Sequence, residues 1–153
     1  MIYIDVLGSK WYPARRLKRV SSRVRNAFEI YCARLLILKV KEAVRIQKYA
    51  SKWIALNPNY LRKKLESGQE LGMWIADDML IRHLKLKDNR HIGWDNRLRR
   101  DGVPYLLIAK SLEWGTIRIP PRPLFRKVKA QVQRNLDDIY KNFRGGKDVT
   151  EII

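Results

Sequence analysis

Apolar positions recur at helical spacing along most of this chain. Leu17, Val20, Val24, Ala27, Phe28, Tyr31, Leu35 and Leu38 keep a three-or-four spacing, which lines up one stripe on a helix. The pattern predicts a long helix from about Pro13 to Lys52. Pro13 suits its first position, where the missing N–H has no helical partner to lose. After Leu35 the phase changes. Leu36, Ile37, Val40 and Val44 fall on the face that carries basic residues a turn earlier. A helix apolar on two sides must be covered on two sides; a second subunit is the expected cover for these four residues, with a break into two helices as the alternative.

Ahead of that helix, MIYIDVLG alternates and is rich in β-branched and aromatic residues, which predicts a short first strand closed by Gly8. Asn57-Pro58 starts a turn, and a short helix is expected from Pro58 to Glu66, stopped by Ser67-Gly68. Leu71, Trp74, Ile75 and Met79 fit a further short helix. From Leu80 to Lys87 the polarity alternates, reading as a half-buried strand; Asp88-Asn89 turns the chain and RHIGWD is its hairpin partner. Tyr105, Ile108, Ala109 and Leu112 predict a helix that stops at Gly115, and TIRI reads as a short strand. Phe125, Val128, Val132, Leu136, Ile139 and Phe143 mark a last helix, about Pro123 to Phe143, ended by Gly145-Gly146 in the manner of a left-handed cap. The expected fold is α+β: a small antiparallel sheet packed by one long N-terminal helix and a C-terminal helix. It forms a single domain over 1–146, with 147–153 an extended tail.

Charge narrows the partners. The chain carries 33 basic against 15 acidic residues, a net charge of +18. Such a field selects polyanions, acidic protein surfaces or anionic membranes. Arg15, Arg16, Lys18, Arg19, Arg23 and Arg25 fall away from the apolar stripe of the first helix, and Arg97, Arg99 and Arg100 lie in a basic loop. These residues are expected to face DNA or an acidic partner, with Trp11 and Tyr12 beside them able to stack on bases.

Chemistry is sparse. Cys32 is the single cysteine, so no internal disulfide forms and no cysteine metal site is expected. His83 and His91 fall on facing strands of the predicted hairpin without a further ligand. Asp77 and Asp78 are neighbours, which point apart on a helix. A Gly-rich phosphate loop and a nucleophile elbow are both absent. Neither an enzyme activity nor a cofactor or metal is expected. The start, MIYIDVLGSKW, lacks a basic segment followed by a long apolar one, and the apolar run near Leu36 is too short to span a bilayer. Synthesis in a reducing cytoplasm is the expectation.

The segment SLEWGTIRIPPRPLFRK, residues 111–127, is unusual. Pro120, Pro121 and Pro123 fix their own φ and bias the residues before them to extended conformation. Arg122 is therefore held at a set angle at the mouth of the last helix, ready to fork onto a carboxylate or onto carbonyls. Glu113 is a nearby candidate.

The order of these residues resembles a known family. Glu113, Trp114, Gly115 and Thr116, then Ile119, Pro120, Pro121, Arg122, Pro123 and Leu124 before a terminal helix, are similar to tail-completion and neck proteins of tailed bacteriophages. These include minor tail protein Z-like and virion-morphogenesis proteins. LNPNYLRKK and HIGWD extend the likeness over about residues 53 to 143. Trp114 stands where tyrosine is usual, and Leu124 where phenylalanine is. The resemblance implies a non-enzymatic virion protein, made in the host cytoplasm. Its copies would form a ring, expected to be hexameric, that completes the tail and joins it to the head, with DNA in the lumen. Other neck and tail proteins are then partners. Glu113, Trp114, Gly115, Pro120, Pro121, Arg122 and Pro123 are expected at the subunit interface together with the mid-helix aliphatics. The alternative is a free nucleic-acid-binding module that uses the basic face of the first helix.

Overall fold

A computed structural model of the chain describes residues 4–5, 21–68, 79–94, 98 and 102–152. Their architecture is α+β, with helices dominant and a small antiparallel sheet. The chain divides into two compact units, each discontinuous in sequence: Met1–Lys39 with Lys85–Gly93 and Lys127–Ile153, and Val40–Leu84 with Trp94–Arg126.

The first unit holds the sheet. Strand β1 is Ile4–Asp5, β2 is Lys85–Leu86 and β3 is His91–Gly93, in the order β1-β3-β2. Both pairings are antiparallel, Ile4 opposite Ile92 and Leu86 also opposite Ile92. The β2–β3 connection is set by Asp88, whose carboxylate accepts the N–H groups of Arg90 at 2.8 Å and His91 at 3.0 Å. His91 Nδ1 lies 2.8 Å from the same carboxylate.

That turn carries a pH prediction. The Arg90 N–H chiefly holds the Asp88 carboxyl below the usual carboxylate range; burial opposes it next, and the His91 ring and N–H add to the lowering. A carboxyl whose folded pKa is depressed stabilises the fold fully above its unfolded pKa, about 3.9, and loses that contribution as pH falls through the folded value. Acidification below about pH 4 is therefore expected to remove exchange protection from the Arg90 and His91 amides, while Asp88→Ala shows the weakened turn at every pH. Amide hydrogen exchange followed against pH checks both.

Helix α1, Ser22–Arg45, is buried over one wide face. Phe28, Cys32, Ala33, Leu35, Leu36, Val40, Ala43 and Val44 are all buried. At about 3.6 residues per turn, Leu36 and Val40 stand roughly 80° to 120° round from Phe28. They adjoin the first stripe rather than oppose it. Leu36, Val40 and Val44 are covered by the chain's own residues, at 0%, 0% and 4% exposure, which corrects their expected place between subunits; Ile37 is half-buried. The reason is phase: two neighbouring stripes form one broad face, and Arg23, Arg34, Lys41 and Arg45 occupy the exposed remainder. Among the described residues no helix is long and apolar enough to cross a membrane. The buried Cys32 thiol is pushed upward, by desolvation first and by the Glu29 charge second.

The helix ends at Arg45, short of Lys52. A turn with Gln47 at φ +50° and a 3-10 turn over Ala50–Lys52 follow. Helix α2, Pro58–Glu66, has the predicted bounds: the Asn57 side chain accepts the Asn59 N–H and Pro58 occupies the first turn, a well-made N-terminus. The predicted strand from Leu80 splits. Helix α3 is Met79–Arg82, and only Lys85–Leu86 is strand. Leu80, Ile81 and Leu84 are all buried; adjacent buried residues suit a helix turn and break the alternation a strand would need.

Helix α4 is Tyr105–Trp114, α5 is Phe125–Arg134 and α6 is Leu136–Arg144. The last two replace the single predicted helix, with Asn135 between them. Their stripe stays in phase, and Phe125, Val128, Val132, Leu136 and Ile139 are buried. Asp137 and Asp138 sit in the first turn of α6, where negative charge complements the helix dipole. In the first unit, Phe28 meets Tyr140 edge-on at 5.2 Å and Phe143 at 5.3 Å. The end of α6 is a Schellman cap: Lys147 N–H donates to Asn142 C=O, Gly146 N–H donates to Phe143 C=O, and Gly146 has φ +75°. The Tyr31 hydroxyl donates to Lys147 C=O at 3.0 Å. Beyond the cap, Val149–Ile152 winds into a 3-10 turn with Val149 buried, where an extended tail was expected.

Candidate functional site

The segment from Ser111 to Lys127 folds into one elbow, built within the second unit up to Arg126. Helix α4 ends because Gly115 takes φ +79° while its N–H still donates to Ser111 C=O. The predicted strand TIRI is instead a tight turn. Thr116 N–H donates to Ile119 C=O at 2.7 Å, and Ile119 N–H donates back to Thr116 C=O at 3.3 Å. The Thr116 hydroxyl accepts the N–H groups of Arg118 and Ile119 at 3.3 and 3.0 Å. A threonine oxygen facing two nearby amides is a common local turn device, which competes with strand formation.

Glu113 does not pair with Arg122. Its carboxylate, buried at the end of α4, caps α5. One oxygen accepts the N–H groups of Leu124 at 2.7 Å and Phe125 at 3.0 Å. The other accepts the Arg126 N–H at 2.9 Å and the Arg126 Nε–H at 3.2 Å. The first N–H groups of a helix have no partner inside it, and a carboxylate placed there also meets the positive end of the helix dipole. Arg126 closes the arrangement. It donates to the Glu113 carbonyl at 3.0 Å, and its guanidinium lies 4.1 Å from the centre of the Trp114 ring, a favourable cation–π distance.

Arg122 is buried, at 5% exposure. Its backbone N–H donates to Leu112 C=O at 2.7 Å, and its guanidinium reaches the Ile54 carbonyl at 3.5 Å. Burial lowers its pKa from the ordinary arginine value, and the Tyr60 phenol opposes the shift. Of the seven elbow residues expected at a subunit interface, Glu113 and Arg122 are thus engaged inside the chain. Gly115, Pro120 and Pro123 are half-buried, and Trp114 and Pro121 are exposed. Residue 126 and not residue 122 is the carboxylate's partner; the usable signal was a glutamate in the last turn of one helix and an arginine in the first turn of the next. Ile117, at the tip of the turn, is wholly exposed, and the sequence reading assigned it nothing beyond a strand.

Most of the other candidates fall where the structure describes nothing. Arg15, Arg16, Lys18 and Arg19, like Arg97, Arg99, Arg100, Trp11, Tyr12, Asp77 and Asp78, lie outside the described residues. Of the basic face, Arg23 is exposed and Arg25 half-buried. His83 sits in the turn after α3, with its ring 5.7 Å from that of Tyr105, and His91 faces Asp88. Among the described residues no group of three His, Cys, Asp or Glu side chains is placed to hold a metal ion. Lys64, the last residue of LNPNYLRKK, is buried with its ammonium 5.9 Å from the Tyr60 ring centre. No family model, curated protein or solved structure matches the chain.

Proposed function

We propose that this protein is a structural subunit of a tailed-phage neck or tail end. Its copies assemble as a ring, expected to be hexameric, that completes the tail and joins it to the head, with genomic DNA passing through the lumen. The elbow is the observation that carries this reading. The residues behind the family resemblance act together as one folded unit: Glu113 caps, Trp114 supports Arg126, Gly115 turns the chain, Thr116 ties the tip and Arg122 anchors the proline segment. The unit leaves a rigid, partly apolar rim in solvent, and rigidity lowers the ordering entropy that an assembly contact must overcome. The rim meets adjoining neck or tail components, and the basic residues hold DNA or an acidic neighbour by charge without reading sequence. The subunit performs no chemistry, takes no cofactor, is made in the host cytoplasm and resides in the virion.

Electron microscopy of particles labelled with an antibody to the purified chain tests the reading. Label confined to the neck or tail end is the expected result, and particles that lack the chain would sink it. A monomer in light scattering that binds duplex DNA at physiological salt, and loses it on joint Arg15→Ala, Arg16→Ala and Arg19→Ala substitution, would favour the free nucleic-acid-binding module instead.

A further inference from the structure

The elbow has a face that its own hydrogen bonds leave unused. Leu107, Lys110 and Trp114 lie at three-and-four spacing on α4, so they share one side of the helix, and all three are exposed. The tight turn follows at once and holds Ile117 at 107% relative exposure with Arg118 exposed beside it. Arg126, half-exposed, covers one face of the Trp114 ring. Leu107, Trp114 and Ile117 are thus exposed apolar side chains in a segment that also presents Lys110 and Arg118, with Arg126 against Trp114.

We propose that this face docks an acidic protein surface: an apolar pocket that receives Ile117, rimmed by carboxylates that pair with Lys110 and Arg118 in the added field of Arg126. The tip is preorganised. Gly115, the Thr116 hydroxyl and the paired prolines fix the turn before any partner arrives, so docking orders little. A fully exposed aliphatic at a rigid tip has the geometry of an interface anchor.

Charge and shape choose among the possible occupants. A second copy of this chain also carries +18. Several of its described carboxylates already have partners within the chain: Glu113 under α5, Asp88 with His91, Asp138 with Lys141 and Asp148 with Thr150. A nucleic acid would engage the cations through its phosphates and leave Ile117 unused, since that side chain has no ring on which a base can stack. A bilayer would gain little apolar area from one isoleucine tip, and its attraction for the cations alone would not depend on Ile117. The inference rests on the elbow alone and goes beyond the particle reading.

Selection of a random peptide library on the purified full chain tests it. The expected peptides carry an aliphatic or aromatic residue flanked by Asp and Glu. They should bind Ile117→Ser and Arg118→Glu at least about tenfold more weakly, as loss of an anchor or its charge partner does, and weaken with added salt. Both positions are exposed, and circular dichroism verifies that both variants fold. Failure to enrich acidic peptides, or enriched peptides indifferent to both substitutions, overturns the proposal. Ile117-dependent self-association in sedimentation, or Ile117-dependent binding to phosphatidylserine vesicles or duplex DNA in place of acidic peptides, overturns it equally. A failed selection leaves the particle-labelling result standing, and absence of the chain from particles leaves the selection standing.

Discussion

Gly115→Ala is expected to destabilise the fold by about 3–5 kcal/mol, a large share of the total stability of roughly 5–15 kcal/mol typical of a domain. Two effects add. At φ +79° and ψ 172° the residue occupies backbone space that is essentially glycine-only, and strain there is worth about 1–3 kcal/mol. A Cβ would also lie 2.9 Å from the Ile119 carbonyl oxygen, 2.9 Å from Pro121 Cδ and 2.9 Å from Pro121 N. None of these atoms belongs to a side chain with a rotamer to yield. They are backbone and a proline ring, already fixed by the Thr116–Ile119 turn. Gly146→Ala is the control. Its φ is also positive, at +75°, but nothing lies within 4 Å of its Cβ position, so only the conformational cost of about 1–2 kcal/mol remains. Urea unfolding of the two variants, followed by tryptophan fluorescence and by far-ultraviolet dichroism, checks the order. Equal losses at the two glycines would show that the close approach at Gly115 relaxes without consequence.

What the sequence made legible here is local. Asn57-Pro58 to Ser67-Gly68 bounded α2 to the residue, because a cap side chain, a first-turn proline and a stop glycine act within a few positions of one another. Gly115 closed α4, and the Phe125-to-Ile139 stripe marked the buried side of α5 and α6, because periodicity survives the break at Asn135. What it hid is relational. The two stripes of α1 look opposed when their residues are counted separately. Their angles on the helix make them neighbours, and that removes the need for a subunit over Leu36, Val40 and Val44. TIRI is β-branched, but the Thr116 hydroxyl offers its amides a turn that propensity alone does not register. The partner of Glu113 was missed for a related reason. Arg122 attracts notice through its prolines, whereas the groups that need a carboxylate are the unpartnered amides of α5, which no residue type announces.

Those amides set the second large effect. Glu113→Ala is expected to cost about 3–5 kcal/mol, because two buried N–H groups lose their acceptor at about 1–3 kcal/mol each and the helix loses its cap. It strips acceptors from the N–H groups of Leu124, Phe125 and Arg126 together. Glu113→Gln should recover only part of the loss. The wild-type side chain uses both oxygens as acceptors, and the amide replaces one of them with an NH₂ group that faces donors. Arg126→Ala should cost less than either, roughly 1 kcal/mol for a half-exposed ion pair and its contact with Trp114, since the carboxylate keeps all three backbone donors. The double variant separates the two roles. If helix capping dominates, Glu113→Ala remains nearly as damaging in the Arg126→Ala background as in the wild type. If the ion pair dominates, its effect there falls to a small residue. The geometry favours capping: three of the four hydrogen bonds to the carboxylate come from the backbone, and the Leu124 and Phe125 donors are buried where water cannot replace the lost acceptor. The elbow therefore depends on Glu113 for the start of α5, and on Arg126 chiefly for the charge that α5 presents beside Trp114.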